Sequence, residues 1–420
     1  MQPLLDISRL LSSAGRASLS GLDRVELAYV RHCATLPPRD RCFVALSPYG
    51  HFSLLPDALA MALLEAWLGV TRGEAVRARL RGISLAARAW LLSGLGHPAL
   101  LRRIARMPRA ALLLTAHQSM SEAAPIAALK RRGARFVPII HDLIPLTHPE
   151  YARPRQTRAH ARRLAVASAL ADAVLVVSGA TRVELVGHFA GGGGEVPPVL
   201  VAPPGFDLPP LRSIPNTPPP PHPYFVTLGT IEPRKNHLLL LNLWRDLAER
   251  LGPRAPRLII LGRRGWQNET VFRMLDRTPG LKGLVEERPR ASDAEVAATL
   301  RHARALLFPS FTEGYGIPLI EALSLGTPAI CADIPTLREV GAGVPDYLHP
   351  IDGLGWRDAV LDYAQPGSAA RAAQLARITG FLQPGWDHHF NTLEQVLARP
   401  APRQATAMAA SVAVQSLGVR

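Results

Sequence analysis

The sequence predicts an α/β protein of two domains, each built on a parallel sheet. Three observations carry that expectation. Short apolar runs bounded by Gly or Pro alternate with longer helical stretches through both halves of the chain. The 420 residues exceed what one ordinary core organises. A proline-rich run, Thr217-Pro-Pro-Pro-Pro-His-Pro, sits near the middle within residues 208–223. Proline supplies no ladder donor, so this run reads as a stiff linker. The expected organisation is a first domain over 1–209, a linker over 210–223 and a second domain over 224–385.

Taken in order, strands are expected at 42–47, 111–115, 136–140, 174–177 and 199–202, then at 224–228, 258–261, 305–308 and 329–332. Ser20-Gly-Leu-Asp23 has capping-box spacing and predicts a helix start, and Ser178-Gly-Ala-Thr181 reads as a strand-to-helix turn. The four glycines at 191–194 lack the Lys-Ser/Thr of a P-loop and read as a surface turn. Residues 401–420, rich in Ala, Ser and Gln, read as a disordered tail.

Apolar residues make up 48% of the chain and charged residues 19%, which fits a globular protein. Cys33, Cys42 and Cys331 have no metal-ligand spacing and no disulfide framework, which suggests a reducing compartment. Asp6 interrupts the start before an apolar run can form, which argues against a signal peptide, and no apolar stretch reaches the length of a spanning helix. A cytoplasmic protein is expected. The net charge of +15 is uneven: residues 1–210 hold 25 Lys+Arg against 14 Asp+Glu, and the remainder 23 against 19. A GC-rich genome would explain the arginines; an anionic membrane surface or lipid-linked phosphate is the functional alternative. The stretch with Arg102, Arg103, Arg106 and Arg109 beside Leu100, Leu101 and Ile104 is the candidate surface. No nucleic-acid motif accompanies the charge.

The most informative segment is Glu313-Gly-Tyr-Gly-Ile-Pro-Leu-Ile-Glu321. Gly314 and Gly316 permit unusual backbone angles, and Pro318 suits a first helical turn. Glu313 is expected on the loop and Glu321 in the helix's first turn, with backbone N–H groups between them that suit a phosphate. Two acids flanking an anion site suggest a ligand with hydroxyls on both sides of a phosphate, as in a nucleotide-sugar. Gly229-Thr-Ile-Glu-Pro-Arg-Lys-Asn236 follows an expected strand and puts Arg234 and Lys235 at its C-terminal end, where two cations would neutralise a diphosphate. His141-Asp142 is the polar exit of another strand, and its histidine could bond a sugar hydroxyl or carry a proton. No Asp-x-Asp occurs, so the metal-chelating motif of the other nucleotide-sugar transferase architecture is missing, and no metal is expected.

Together these segments resemble a retaining glycosyltransferase of the GT-B fold, family-4 type. Residues 309–328 resemble the family signature, and 229–236 its diphosphate clamp. His141-Asp-Leu-Ile-Pro145 and Ser20-Gly-Leu-Asp-Arg-Val-Glu26 fit the subgroup that builds bacterial exopolysaccharide and O-antigen chains. The resemblance implies two Rossmann-like domains around a central cleft, with a helix over 386–400 crossing back to the first. It implies Glu313 against the donor sugar and His141 contacting that sugar from the first domain. Glu321 would hold the ribose. Gly314, Tyr315 and Gly316 would bind phosphate beside Arg234 and Lys235, with Leu319 among the donor-binding residues. Gly21 would shape the loop near diphosphate and acceptor.

The activity so implied is transfer of a hexose, mannose from GDP-mannose foremost, to a lipid-linked or polysaccharide acceptor with retention. The mannose preference rests on likeness around 229–236 and Gly262-Arg-Arg-Gly-Trp266, and base selection on a region near 288–292. The alternatives are a UDP-sugar donor, an epimerase or phosphorylase of the same architecture, and a non-catalytic membrane-surface protein. Intact Glu313, Glu321, Arg234 and Lys235 speak against the last.

Overall fold

The computed structural model describes residues 2–14, 20–68, 74–193, 195–207, 214–215, 221–382 and 385–399. Most of the linker expected at 210–223 and the whole tail expected at 401–420 lie outside the described residues. The chain parts into two compact units, Met1–Pro204 with Trp386–Arg420, and Gly205–Gly385. The division thus falls before the proline run at 217–223, between Pro204 and Gly205, and the chain returns to the first unit at Trp386.

The first unit holds β1 (Gln2–Asp6), β2 (Cys42–Leu46), β3 (Phe52–Leu54), β4 (Ala110–Leu114), β5 (Arg135–Ile140), β6 (Val174–Val176) and β7 (Val199–Val201). Among the described residues they form one sheet in the order β3-β2-β1-β4-β5-β6-β7. Every pairing is parallel except the edge hairpin of β2 with β3, where Val44 opposes Leu54. Sequence reading missed β1 and β3. β1 is nevertheless central, flanked by β2 and β4, with Leu4 and Leu5 fully buried. It is only five residues long and carries Pro3 and Asp6, which hides it from any apolar-run criterion.

The second unit holds β8 (Tyr224–Leu228), β9 (Arg257–Leu261), β10 (Val285–Arg288), β11 (Leu306–Phe308), β12 (Ala329–Ala332) and β13 (Asp346–Leu348). Their order is β10-β9-β8-β11-β12-β13, parallel throughout. Alternation of side chains divides the core into two layers. Val226, Ile259, Leu261, Leu306, Phe308 and Cys331 line one face, and Phe225, Leu258, Ile260, Leu307 and Ile330 the other. Burial on both faces is why these strands read as continuous apolar runs. The overlooked strands β10 (Val-Glu-Glu-Arg) and β13 (Asp-Tyr-Leu) are the polar edges, which need no such run.

Each sheet has a topological switch point, between β1 and β4 in the first unit and between β8 and β11 in the second. Loops leaving the C-terminal ends of the paired strands there diverge and open a crevice, the usual ligand position in open α/β sheets. Arg234 and Lys235 follow β8 and Glu313 follows β11, at the second switch point, while His141 follows β5, one strand away from the first.

The helix Trp386–Ala398 packs within the first unit. His389 is bonded to the Tyr29 hydroxyl at 2.7 Å and the Ala202 carbonyl at 2.9 Å, and Arg135 donates to the carbonyls of Val396, Leu397 and Arg399. Among the described residues no helix is long and apolar enough to cross a membrane.

Candidate active site

The turn after β8 is shaped by close approach of backbone to backbone. Gly229 has φ 137°, and a Cβ on Gly262 would fall 1.8 Å from the Gly229 carbonyl oxygen. Only glycine at 262 lets the exits of β8 and β9 meet, with Gly229 N–H donating to Leu261 at 2.9 Å. A 3-10 turn at Pro233–Lys235 follows, and Asn236 closes it in the left-handed conformation (φ 55°, ψ 36°) before the helix His237–Leu251. The Asn236 amide donates to the carbonyls of Pro309 and Pro350, at 3.2 and 2.7 Å. It therefore ties the β8 turn to the exit of β11 and to the loop past β13.

Glu313 stands on the loop after β11, and both cations of the β8 turn meet it. Arg234 Nη1 lies 2.7 Å from one carboxylate oxygen, and Lys235 Nζ 2.5 Å from the other. Arg234 also reaches Glu232 through Nε at 2.6 Å and the Thr312 carbonyl at 3.1 Å. Lys235 rests 4.7 Å above the Phe308 ring, and Thr336 donates to the Glu313 carbonyl at 2.8 Å. Burial alone would push the Glu313 carboxyl up; the charges of Arg234 and Lys235 overcome it and hold the group at about 2. Burial lowers Lys235, against the pull of Glu313. The two cations expected at a strand end stand there, and Glu313 engages both.

The loop becomes helix at Gly316, the N-cap, with φ 109°. A Cβ there would lie 2.8 Å from the Leu337 side chain, so glycine serves both the backbone angle and the packing. The helix is Ile317–Ser324 with Pro318 in its first turn. Glu321 is the fifth helical residue, so it stands just past the first turn in which the sequence reading put it. It is 6% exposed. Leu319 is fully buried in the core, and its N–H donates to the Gly316 carbonyl at 2.9 Å. Tyr315 is half-buried against the same core.

In the first unit His141 follows β5 and is 9% exposed. Its Nε2 lies 2.8 Å from the Thr115 carbonyl, while Asp142 accepts from Ile144 N–H at 3.1 Å. The histidine is thus held by the exit of β4, not by its neighbouring acid. Burial lowers its pKa, leaving a neutral ring suited to hydrogen bonding. Residues that sequence reading missed gather around it: the ring of His117 lies 5.5 Å from His141 and 5.1 Å from His160. Buried Asp6 ends β1, and Glu26, fully buried, accepts the Leu10 N–H at 3.0 Å. Their signal was positional, since Asp6 and His117 leave the two strands of the switch point. Gly21 opens the helix Gly21–Ala34, whose cap at Ser20 forms the expected capping box with Asp23. Asp23 also pairs with Arg9 at 2.8 Å.

Elsewhere, Arg264 of the 262–266 segment pairs with Asp276 and Glu287, and Arg288 pairs with Glu286. Ser292 caps the helix Asp293–Arg301. Cys33, Cys42 and Cys331 are all free and buried.

Two α/β units, each on a mainly parallel sheet, have the GT-B architecture found among glycosyltransferases. The solved structure of Anabaena Alr3699/HepE in complex with UDP and glucose has this fold. It aligns over 95% of this chain and 100% of its own at a TM-score of 0.62 and 12% identity. Residues 213–342 match the model of glycosyl transferases group 1, so this chain carries a group 1 glycosyltransferase domain. It is 28% identical over 270 residues to the O-antigen chain mannosyltransferase B of Escherichia coli, covering 62% of this chain and 69% of that protein. It is 30% identical over 247 residues to the Escherichia coli serotype-specific mannosyltransferase WbdA, covering 54% of this chain and only 29% of WbdA. With the O-antigen chain mannosyltransferase RfbU of Salmonella typhimurium it shares 32% identity over 145 residues, 34% of this chain and 38% of RfbU.

Proposed function

We propose that this protein transfers a hexose, mannose from GDP-mannose foremost, from a nucleotide-sugar to a lipid-linked or polysaccharide acceptor, with retention. The observation that carries the reading is the convergence of Arg234, Lys235 and Glu313 at the switch point of a group 1 glycosyltransferase domain. The names of the O-antigen mannosyltransferases support the sugar and the acceptor class.

In this reading the diphosphate lies against Arg234 and Lys235, with backbone N–H groups at the start of helix Ile317–Ser324 beside it. The two cations take up the leaving charge, so the reaction runs without a metal. Glu313 bonds the donor sugar's hydroxyls, and Glu321 the ribose. His141, neutral and with its Nε2–H donated to the Thr115 carbonyl, keeps Nδ1 as an acceptor for a sugar hydroxyl. The acceptor hydroxyl attacks from the face the diphosphate leaves, and a phosphate oxygen receives its proton.

The arginines of the first unit adsorb the protein to the anionic inner face of the cytoplasmic membrane, near a lipid-linked acceptor. Arg102, Arg106 and Arg109 are exposed, but Leu100 and Ile104 are core residues, so the contact is electrostatic, without insertion of those side chains.

A thermal-shift panel of GDP- and UDP-sugars tests the donor. The cognate compound should raise the melting temperature by mass action, and radiolabelled transfer to a lipid-linked acceptor should follow with it alone. Stabilisation by a UDP-sugar with none by GDP-mannose would overturn the mannose assignment.

A further inference from the structure

The clamp of the second unit carries its own anions. Arg234 lies between Glu232 at 2.6 Å and Glu313 at 2.7 Å, and Lys235 lies 2.5 Å from the second oxygen of Glu313. Two cations face two carboxylates, so the charges within this group balance. The side chains of Glu313 and Lys235 are 7% and 9% exposed, where solvent and salt screen little.

We propose that Glu313 is a resident counter-ion, which a diphosphate must displace from Arg234 and Lys235, and that it thereby weakens binding of a nucleoside diphosphate that carries no sugar. The proposal rests on the donor reading above and concerns how that same site tells donor from product. A diphosphate oxygen and the Glu313 carboxylate seek the same N–H groups. Arg234 Nη1 is already shared between Glu313 and the Thr312 carbonyl. Glu313 cannot follow cations that turn to a ligand, because its backbone is anchored by Thr336. A buried carboxylate that loses its partners carries a desolvation penalty. A donor sugar offsets that penalty, since its hydroxyls can donate to the freed oxygens. The product, stripped of its sugar, offers nothing in return. The same acid that orients the sugar therefore helps expel the diphosphate after transfer.

The test is calorimetric titration of the full-length protein and of Glu313→Gln with GDP, UDP and inorganic pyrophosphate. Gln keeps the shape and removes the competing charge. The variant should bind pyrophosphate and the preferred nucleoside diphosphate on the order of ten-fold tighter, with transfer activity lost. Equal or weaker affinity in a folded variant overturns the proposal. Should the variant fail to fold, the wild type decides alone: the nucleotide-sugar should bind several-fold tighter than its own nucleoside diphosphate, and equal or stronger product binding sinks the idea. If neither protein binds any nucleoside diphosphate or pyrophosphate, the donor reading itself fails. Measurable but equal affinities refute only the role of Glu313 as counter-ion.

Discussion

Replacing Asn236 tests whether the clamp is held by one side chain. Its amide satisfies the carbonyls of Pro309 and Pro350, and its backbone is left-handed at φ 55°. Asn236→Ala removes both bonds and replaces a residue that tolerates left-handed backbone with one that does not, which adds part of the about 1–2 kcal/mol that this region costs L-residues. Stripping two buried carbonyls of a partner adds about 1 kcal/mol each at the lower end of the range. The sum is about 2–3 kcal/mol of lost stability. Asn236→Gly relieves the backbone strain, at some cost in unfolded-chain entropy, and should recover roughly 0.5–1 kcal/mol. Asn236→Asp should be the worst of the three, since a carboxylate would face two carbonyl oxygens. Urea unfolding followed by tryptophan fluorescence measures the series. An Ala variant within about 1 kcal/mol of the wild type, outside the range expected for such losses, or an Asp variant as stable as the Asn parent, would refute the reasoning. Because Asn236 adjoins Lys235 and bonds to the strand exit that leads to Glu313, the Ala variant should also transfer sugar more slowly.

The other expectations are direct. Arg234→Ala or Lys235→Ala should each cost about 2–4 kcal/mol of transition-state stabilisation in kcat, if each acts as a preorganised donor; normal transfer by both removes the clamp from the mechanism. Glu321→Gln should weaken nucleoside diphosphate binding while leaving inorganic pyrophosphate binding unchanged, and a parallel loss of both would deny it the ribose. Stability should fall below pH 6.5 through His389, whose pKa burial depresses to about 4. The unfolded chain takes up that proton first, so the contribution is whole above 6.5 and declines as pH drops towards 4, by on the order of 3 kcal/mol. His389→Asn should flatten that part of the urea-midpoint profile. Glu313 acts in a lower window: its stabilisation is present above 4.5 and is lost as pH falls towards 2. Adsorption to anionic liposomes should vanish at high salt, and equal binding to neutral vesicles would show that charge does not drive it.

Much of the second unit was legible in the sequence, because its inner strands are buried on both faces and its turns carry glycine and proline for stated reasons. Tyr224–Leu228 and Ala329–Ala332 fall where the apolar runs end. The Glu313 and Arg234–Lys235 loops were visible as polar, glycine-bearing exits from those runs. β1, β3, β10 and β13 were not visible, since a short strand or a polar edge makes its ladder bonds with backbone groups that any sequence provides.

By itself the sequence determined which residue types leave the strand ends, and hence that a phosphate-bearing ligand with hydroxyls was the natural candidate. Tertiary structure alone decided how those residues spend their bonds. It paired Glu313 with both cations, moved Glu321 beyond the first turn, buried Leu319 and gathered His117 and His160 beside His141. The physical reason is that charge and hydrogen-bond partners depend on distances between segments far apart in the chain. Lys235 and Glu313 are 78 residues apart in sequence and 2.5 Å apart in space, a proximity that no local pattern encodes.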